Sequence, residues 1–284
     1  MASHPRPRIL RHPRRAALRL LAAAAILPLA ACDVSEQEEL ELGRQTAGQI
    51  AAQLPVVDDP ATTAYLGELG RALAAQTDRP GLDWRFFLVN SGEVNAFAVP
   101  GGYVYVNRGL VERAATLSEF AGVLGHEVAH VGLRHSAEQL ESQRTTGMGV
   151  TLICTLTGWC ESGTAQVAIN LAGSAWFARH SREDEAEADS ASVFILQRAG
   201  IDPEGVPRFF ERLLQARERD PLTVETWFSS HPLEESRVDA SRALVNSISP
   251  SELEGLVQDD AAYQAFRRRV AALPPPPPPP PQLR

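Results

Sequence analysis

His126-Glu127-Val128-Ala129-His130 is the stretch of this chain best equipped for chemistry. Residues four apart share one face of an α-helix, so the two imidazoles can close on a single metal ion. Two neutral ring nitrogens suit Zn²⁺, and the carboxylate of Glu127 suits a general base for a water on that metal. Two ligands are too few, so a third must come from elsewhere. The acidic run Arg182-Glu183-Asp184-Glu185-Ala186-Glu187-Ala188-Asp189 can supply it. Its charge alone would fit a solvated helix face. Glu185 and Asp189, however, lie four apart. One carboxylate can therefore bind a metal while the other accepts the N–H of a ligating imidazole and fixes its tautomer. Two histidines, a glutamate and a water make an open, catalytic kind of zinc site rather than a closed structural one.

The flanks predict helices under both halves of this set. Phe120, Val123, Leu124, Val128 and Val131 recur at helical spacing, with Ser118 as the expected N-cap. Ser181 is expected to cap the second helix, whose acidic first turn suits the helix dipole and which ends at Gly200. Upstream, Ser35 with Glu38 reads as a capping box. It opens a helix that carries Leu40, Leu42, Ile50 and Leu54 on one side and stops at Pro55. Asp59-Pro60 opens another, running to about Ala75. Residues 84–89 and 103–106 are rich in β-branched and aromatic side chains and read as strands. Asn95-Ala96-Phe97-Ala98-Val99 between them is expected to be extended, followed by a turn at Pro100-Gly101-Gly102. Residues 203–217, 234–246 and 252–272 read as later helices that close the core.

Four motifs, in order, resemble the HtpX/BepA/LoiP-like family of bacterial zinc metalloproteases, distant relatives of the CAAX prenyl proteases. They are residues 95–102, His126–His130 with its continuation to His135, the Ser181–Asp189 element that begins 51 residues after His130, and Ser230-His231-Pro232 with Arg237. The similarity runs from about residue 35 to about residue 244. It implies an α+β fold: a mostly helical zincin-type metallopeptidase domain with a small β-sheet beside the active-site helix. It also implies one Zn²⁺ per chain on His126, His130 and Glu185, with Glu185 preferred over Glu183 or Glu187, and Asp189 behind the ligands. Glu127 would then serve as the base in peptide-bond hydrolysis. His231 and Arg237 become the candidates for steadying the oxyanion, although alone they would read as a turn residue and a helix-face charge. A competing expectation has His231 filling the open metal position and holding the enzyme latent. Substrate would pair as an extended strand with Asn95, Ala96, Phe97 and Ala98. His135 and His180 are expected to be structural rather than ligands. The resemblance points to unfolded or misassembled cell-envelope polypeptides as substrates and to the envelope assembly machinery as a partner. The alternative is a zinc-bearing chaperone or assembly factor that holds clients without cutting them. In layout the stand-alone, lipid-anchored members are the nearest.

Composition frames these expectations. The chain has 284 residues and 44% hydrophobic content, enough for a substantial core. All its basic side chains are Arg. Six of the 27 precede position 32, leaving 21 against 35 acids, a net −14 that would repel nucleic acid. Residues 1–31 read as an export signal: an Arg-rich start and a short apolar run ending in Leu29-Ala30-Ala31-Cys32. That ending resembles a bacterial lipoprotein signal, with Cys32 lipidated and the mature chain anchored to a membrane facing the periplasm. In an oxidising compartment Cys154 and Cys160 are expected to close a local disulfide. The apolar, Gly-rich residues 147–175 fit a helical hairpin packed on the core, a lid, or a membrane-touching surface. The domain is expected to span residues 32–272, followed by a proline-rich tail at 273–284 that stays extended.

Overall fold

The computed structural model describes residues 33–145 and 180–276. The expected export signal, Cys32, Cys154, Cys160, the apolar stretch 147–175 and the prolines from 277 onward lie outside the described residues. Two helices lead, α1 (Glu36–Ala51) and α2 (Pro60–Ala74), followed by strands β1 (Arg85–Val89), β2 (Ala96–Val99) and β3 (Tyr103–Asn107). Then come α3 (Arg108–Arg113), α4 (Leu117–Gly132) and α5 (His135–Thr145). The second segment carries α6 (Arg182–Arg198), α7 (Gly205–Arg219), α8 (Pro221–Ser230), α9 (Glu235–Ser247), α10 (Pro250–Leu253) and α11 (Ala261–Ala271).

Helix α4 is the axis of the molecule. Every residue from Leu117 to Val131 is buried, the condition of a helix covered on all sides rather than amphipathic. Helices α2, α6 and α7 and strand β2 pack around it. The approach of α7 depends on Gly205. A Cβ there would lie within 2.1 Å of the Ser118 carbonyl oxygen, so no other residue fits without moving the backbone. The N-cap of α4 is Thr116, not the expected Ser118. Thr116 Oγ1 accepts from the Glu119 N–H at 3.3 Å, and Glu119 reaches back to the Ala115 N–H at 2.7 Å. Ser118 is instead buried in the first turn, where its N–H donates to Gln258.

The sheet has the order β1-β3-β2, with β1 parallel and β2 antiparallel to β3. Strand β2 is thus an edge, and it is the strand that faces α4. Asn107 N–H donates to Asn95 C=O at 2.9 Å. Alternation along an antiparallel pair then turns the N–H groups of Ala96 and Ala98 away from β3. Gly101 (φ 82°) and Gly102 (φ 96°) make the turn into β3, a conformation glycine adopts without steric cost.

Several expectations needed correcting. Helix α1 ends at Ala51, before Pro55, and Leu40 is 39% exposed. Its buried face is built on Glu39, Gly43, Thr46, Ala47 and Ile50, because Glu39 is held between Arg79 (2.6 Å) and Arg134 (2.8 Å). The motif helix does not continue to His135. It stops at Gly132, Arg134 takes φ 65°, and α5 begins afresh. The expected last helix is two pieces, because Gly255 (φ 80°) turns the chain and Val257 bridges to Ile201. Helices α3 and α8 were not anticipated. Among the described residues no helix is long and apolar enough to cross a membrane.

Candidate metal centre

Four side chains able to ligate a metal converge beside α4. Nε2 of His126 and Nε2 of His130 stand 3.0 Å apart. Glu185, from the first turns of α6, brings Oε2 to 3.6 Å from His126 Nε2 and Oε1 to 3.4 Å from His130 Nε2. His231, just past α8, places Nδ1 2.9 Å from Glu185 Oε1 and 3.4 Å from His126 Nε2. All four are buried, with their ligating atoms within 4.8 Å of one another. Donors on one tetrahedral ion with bonds of about 2.1 Å stand about 3.4 Å apart. The spacings of His126, His130 and Glu185 fit such an ion, and so does the mixture of neutral nitrogens and one carboxylate. A fourth side chain, His231, joins the expected set of three.

The surrounding residues hold this set in place. Ser181 caps α6 in a full capping box with Asp184, which fixes the register that presents Glu185 and Asp189 on one face. Asp189 Oδ1 lies 3.0 Å from His126 Nδ1, an oblique approach to the far side of that ligand's ring. Arg237 clamps both carboxylates. Its Nε and Nη2 donate to Asp189 at 2.7 Å each, and Nη1 sits 2.6 Å from Glu185 Oε2 and donates to the Pro232 carbonyl at 2.7 Å. Its guanidinium is therefore turned into the structure, toward the carboxylates, rather than free to meet an oxyanion. Trp227 stacks on His231 with ring centroids 4.7 Å apart, and Phe210 stands edge-on to His126. These apolar walls lower the local dielectric and strengthen each charge inside.

Glu127 lies beside the cluster, its Oε1 3.5 Å from His231 Nε2 and its carboxylate reached by the Ala98 N–H of β2. The Glu127 carboxylate and the strand edge thus meet. Of the expected strand residues, Ala96 and Ala98 present their N–H groups on that side. Phe97 instead stacks on Tyr105 at 4.9 Å, and Asn95 and Ala96 are both buried.

Electrostatics follow from burial and neighbours. Burial pushes the Glu127 carboxyl above its usual range, with His231 and His126 pulling only partly the other way. Burial would also raise Glu185, but His231 and the hydrogen bonds from His130 and His231 hold it well below the carboxylate range. Asp189 ends lowered as well, since His126 and Arg237 outweigh its burial. Burial pulls His130 well below the usual imidazole value, which keeps the ring neutral, as a metal ligand must be.

Residues 60–245 match the model of peptidase family M48. The chain belongs to that family. It is 33% identical over 224 residues to the beta-barrel assembly-enhancing protease of Escherichia coli K12, covering 75% of this chain and 45% of that one. It is 28% identical over 182 residues to the metalloprotease YcaL of the same organism, covering 64% of this chain and 69% of YcaL. It is 28% identical over 177 residues to the mitochondrial metalloendopeptidase OMA1 of Schizosaccharomyces pombe, covering 62% and 51%. The chain thus spans about half the length of the first of these relatives.

For an M48 metalloprotease the expected ligands His126, His130 and Glu185 come together, and Asp189 stands behind them. His135 and His180, expected to be structural rather than ligands, lie outside the group of four but pack against it: His180 stacks on His130 at 3.9 Å, and His135 Nδ1 lies 2.8 Å from His130 Nδ1. Every histidine among the described residues is in this one cluster, a concentration visible in the sequence only once the fold brings 180 and 231 to α4.

Proposed function

We propose that this M48 metalloprotease is a zinc endopeptidase that cuts unfolded or misassembled cell-envelope polypeptides, working in the bacterial periplasm from a lipid anchor on Cys32. The convergence of His126, His130 and Glu185 beside the carboxylate of Glu127 carries this reading. Bound zinc would supply a Lewis acid that polarises a peptide carbonyl and makes water acidic enough to attack near neutral pH. The chain's own residues do the rest. Glu127 takes the proton of the attacking water and hands it to the leaving nitrogen. Asp189 and Arg237 hold His126 and Glu185 in place. The outward N–H of Ala96, beside the Ala98 N–H that Glu127 holds, gives an extended peptide a backbone edge to pair with, which secures affinity with little demand on sequence. Such loose recognition suits unfolded clients, and one relative's name, which couples protease with β-barrel assembly, fits an envelope substrate. In a casein-type cleavage assay, Glu127→Gln is expected to lower kcat by about 10²–10⁴-fold while the protein still binds one zinc per chain. Cleavage that persists at the parental rate would remove Glu127 from the mechanism.

A second reading of one residue is favoured by a specific observation. His231 Nδ1 stands among the ligating atoms, so His231 closes the fourth position and holds the enzyme latent until substrate displaces it. His231→Ala should then raise basal proteolysis. Lower activity would return His231 to the oxyanion role, and unchanged activity would count against both.

A further inference from the structure

The structure assigns His135 a positioning role: its imidazole accepts the Nδ1–H of His130 and so presents the Nε2 lone pair of His130 to the metal. This rests on the zinc reading above. Nε2 of His130 faces His126 and Glu185, so Nδ1 is the nitrogen turned away from the cluster. It meets Nδ1 of His135 at 2.8 Å, and both rings are buried. Two ring nitrogens at that separation share one proton, one donating and the other accepting. When Nε2 of His130 lends its lone pair to a cation, the proton must sit on Nδ1, so His135 must be the acceptor. His135 then carries its own proton on Nε2, which is 3.5 Å from Oε2 of Glu187, on the solvent-facing side of α6, and has no hydrogen-bond partner among the described residues. The two ligating imidazoles thus have separate supports, a carboxylate behind His126 and a neutral ring behind His130.

The backbone is shaped to allow this contact. In an unbroken helix, residues five apart point in different directions and do not meet. Here α4 stops at Gly132, and Arg134 adopts φ 65°, a strained conformation for a residue with a Cβ. The turn is held by Arg134 Nε donating to Glu39 Oε2 at 2.8 Å and Nη2 donating to the Val34 carbonyl at 2.7 Å. It swings His135 back until its ring centroid is 5.0 Å from that of His130. Strain without a contact to show for it would be unexpected; here it delivers one ring nitrogen onto a ligand.

The test compares zinc dissociation constants, by chelator competition, for the full chain, His135→Leu and His135→Asn, alongside thermal unfolding of the metal-free proteins. The Leu side chain fills the space without an acceptor, whereas the Asn amide oxygen can stand where Nδ1 stood. His135→Leu is expected to weaken zinc binding about 10–100-fold. His135→Asn should stay within a few-fold of the parent, and the metal-free melting temperatures should not follow this order. Parental affinity in His135→Leu, or an equal loss in both variants, overturns the assignment. Should His135→Leu fail to fold, ¹⁵N spectra of the zinc-loaded parent read the tautomer directly: His135 with its proton on Nε2 is expected, and a proton on Nδ1 overturns the proposal. A parent that takes up no zinc sinks the metal reading and this one with it. A parent that binds zinc and is indifferent to His135 sinks this one alone.

Discussion

Glu127 must be ionised to accept a proton, and its surroundings work against that charge. Burial raises its pKa from the ordinary carboxylate range, with the repulsion of Glu185 adding to the effect and two imidazoles offsetting part of it. A base whose pKa is raised loses its working form earlier as pH falls. In the metal-free protein the Glu127 carboxyl is therefore expected to take up its proton at a higher pH than a solvent-exposed glutamate would. A titration of the metal-free protein followed by NMR checks this; a value in the ordinary glutamate range would mean that solvent reaches the carboxylate. Asp189 is shifted the opposite way, because His126 and Arg237 outweigh its burial and favour its ionised form. The two carboxylates are thus shifted in opposite directions by their environments.

At the scale of elements, helix α4 can serve as axis only because its neighbours come close. Gly205→Ala would push a methyl group into the Ser118 carbonyl. Such overpacking should cost about 1–3 kcal/mol, read as a lower urea midpoint with an unchanged slope. An unchanged midpoint would show that α7 can slide without loss. The sequence revealed what is local. The His-Glu-x-x-His spacing and the cap at Ser181 each depend on residues within a turn or two, and both stand in the structure as read. It concealed what distant residues decide. Nothing in Gly132-Leu133-Arg134-His135 announces that a helix must stop; the break is held by Glu39 and Val34, about a hundred positions away. Thr116 and Ser118 are equally good caps by composition, and a carbonyl at Gln258 chooses between them. Helix α8 has a weak apolar stripe, so Trp227 gave no sign that it would stack behind His231.

In the whole molecule, the metal would tie together residues that lie far apart in the chain: His126 and His130 with Glu185, 55 positions on, and His231 later still. An ion that binds the folded chain and not the unfolded one stabilises it by mass action, about 4 kcal/mol when free zinc exceeds its dissociation constant a thousandfold. For a domain of this size that corresponds to a fall in Tm of about 10 °C on removal with a chelator. The loss should not be uniform. Helix α4 is enclosed by apolar side chains and keeps them without the ion. Asp189 stays paired with Arg237, so α6 and α9 remain tied. The stretch between α8 and α9 that carries His231 is held at the site mainly by polar contacts, to Glu185, to Glu127 and from Arg237 to the Pro232 carbonyl, and by stacks on Trp227 and His180. Hydrogen exchange after zinc removal should therefore accelerate first around residues 228–234 and the first turn of α6, with the middle of α4 still protected. A Tm indifferent to chelator, or acceleration that begins in α4, would mean that the ion is not what joins these segments.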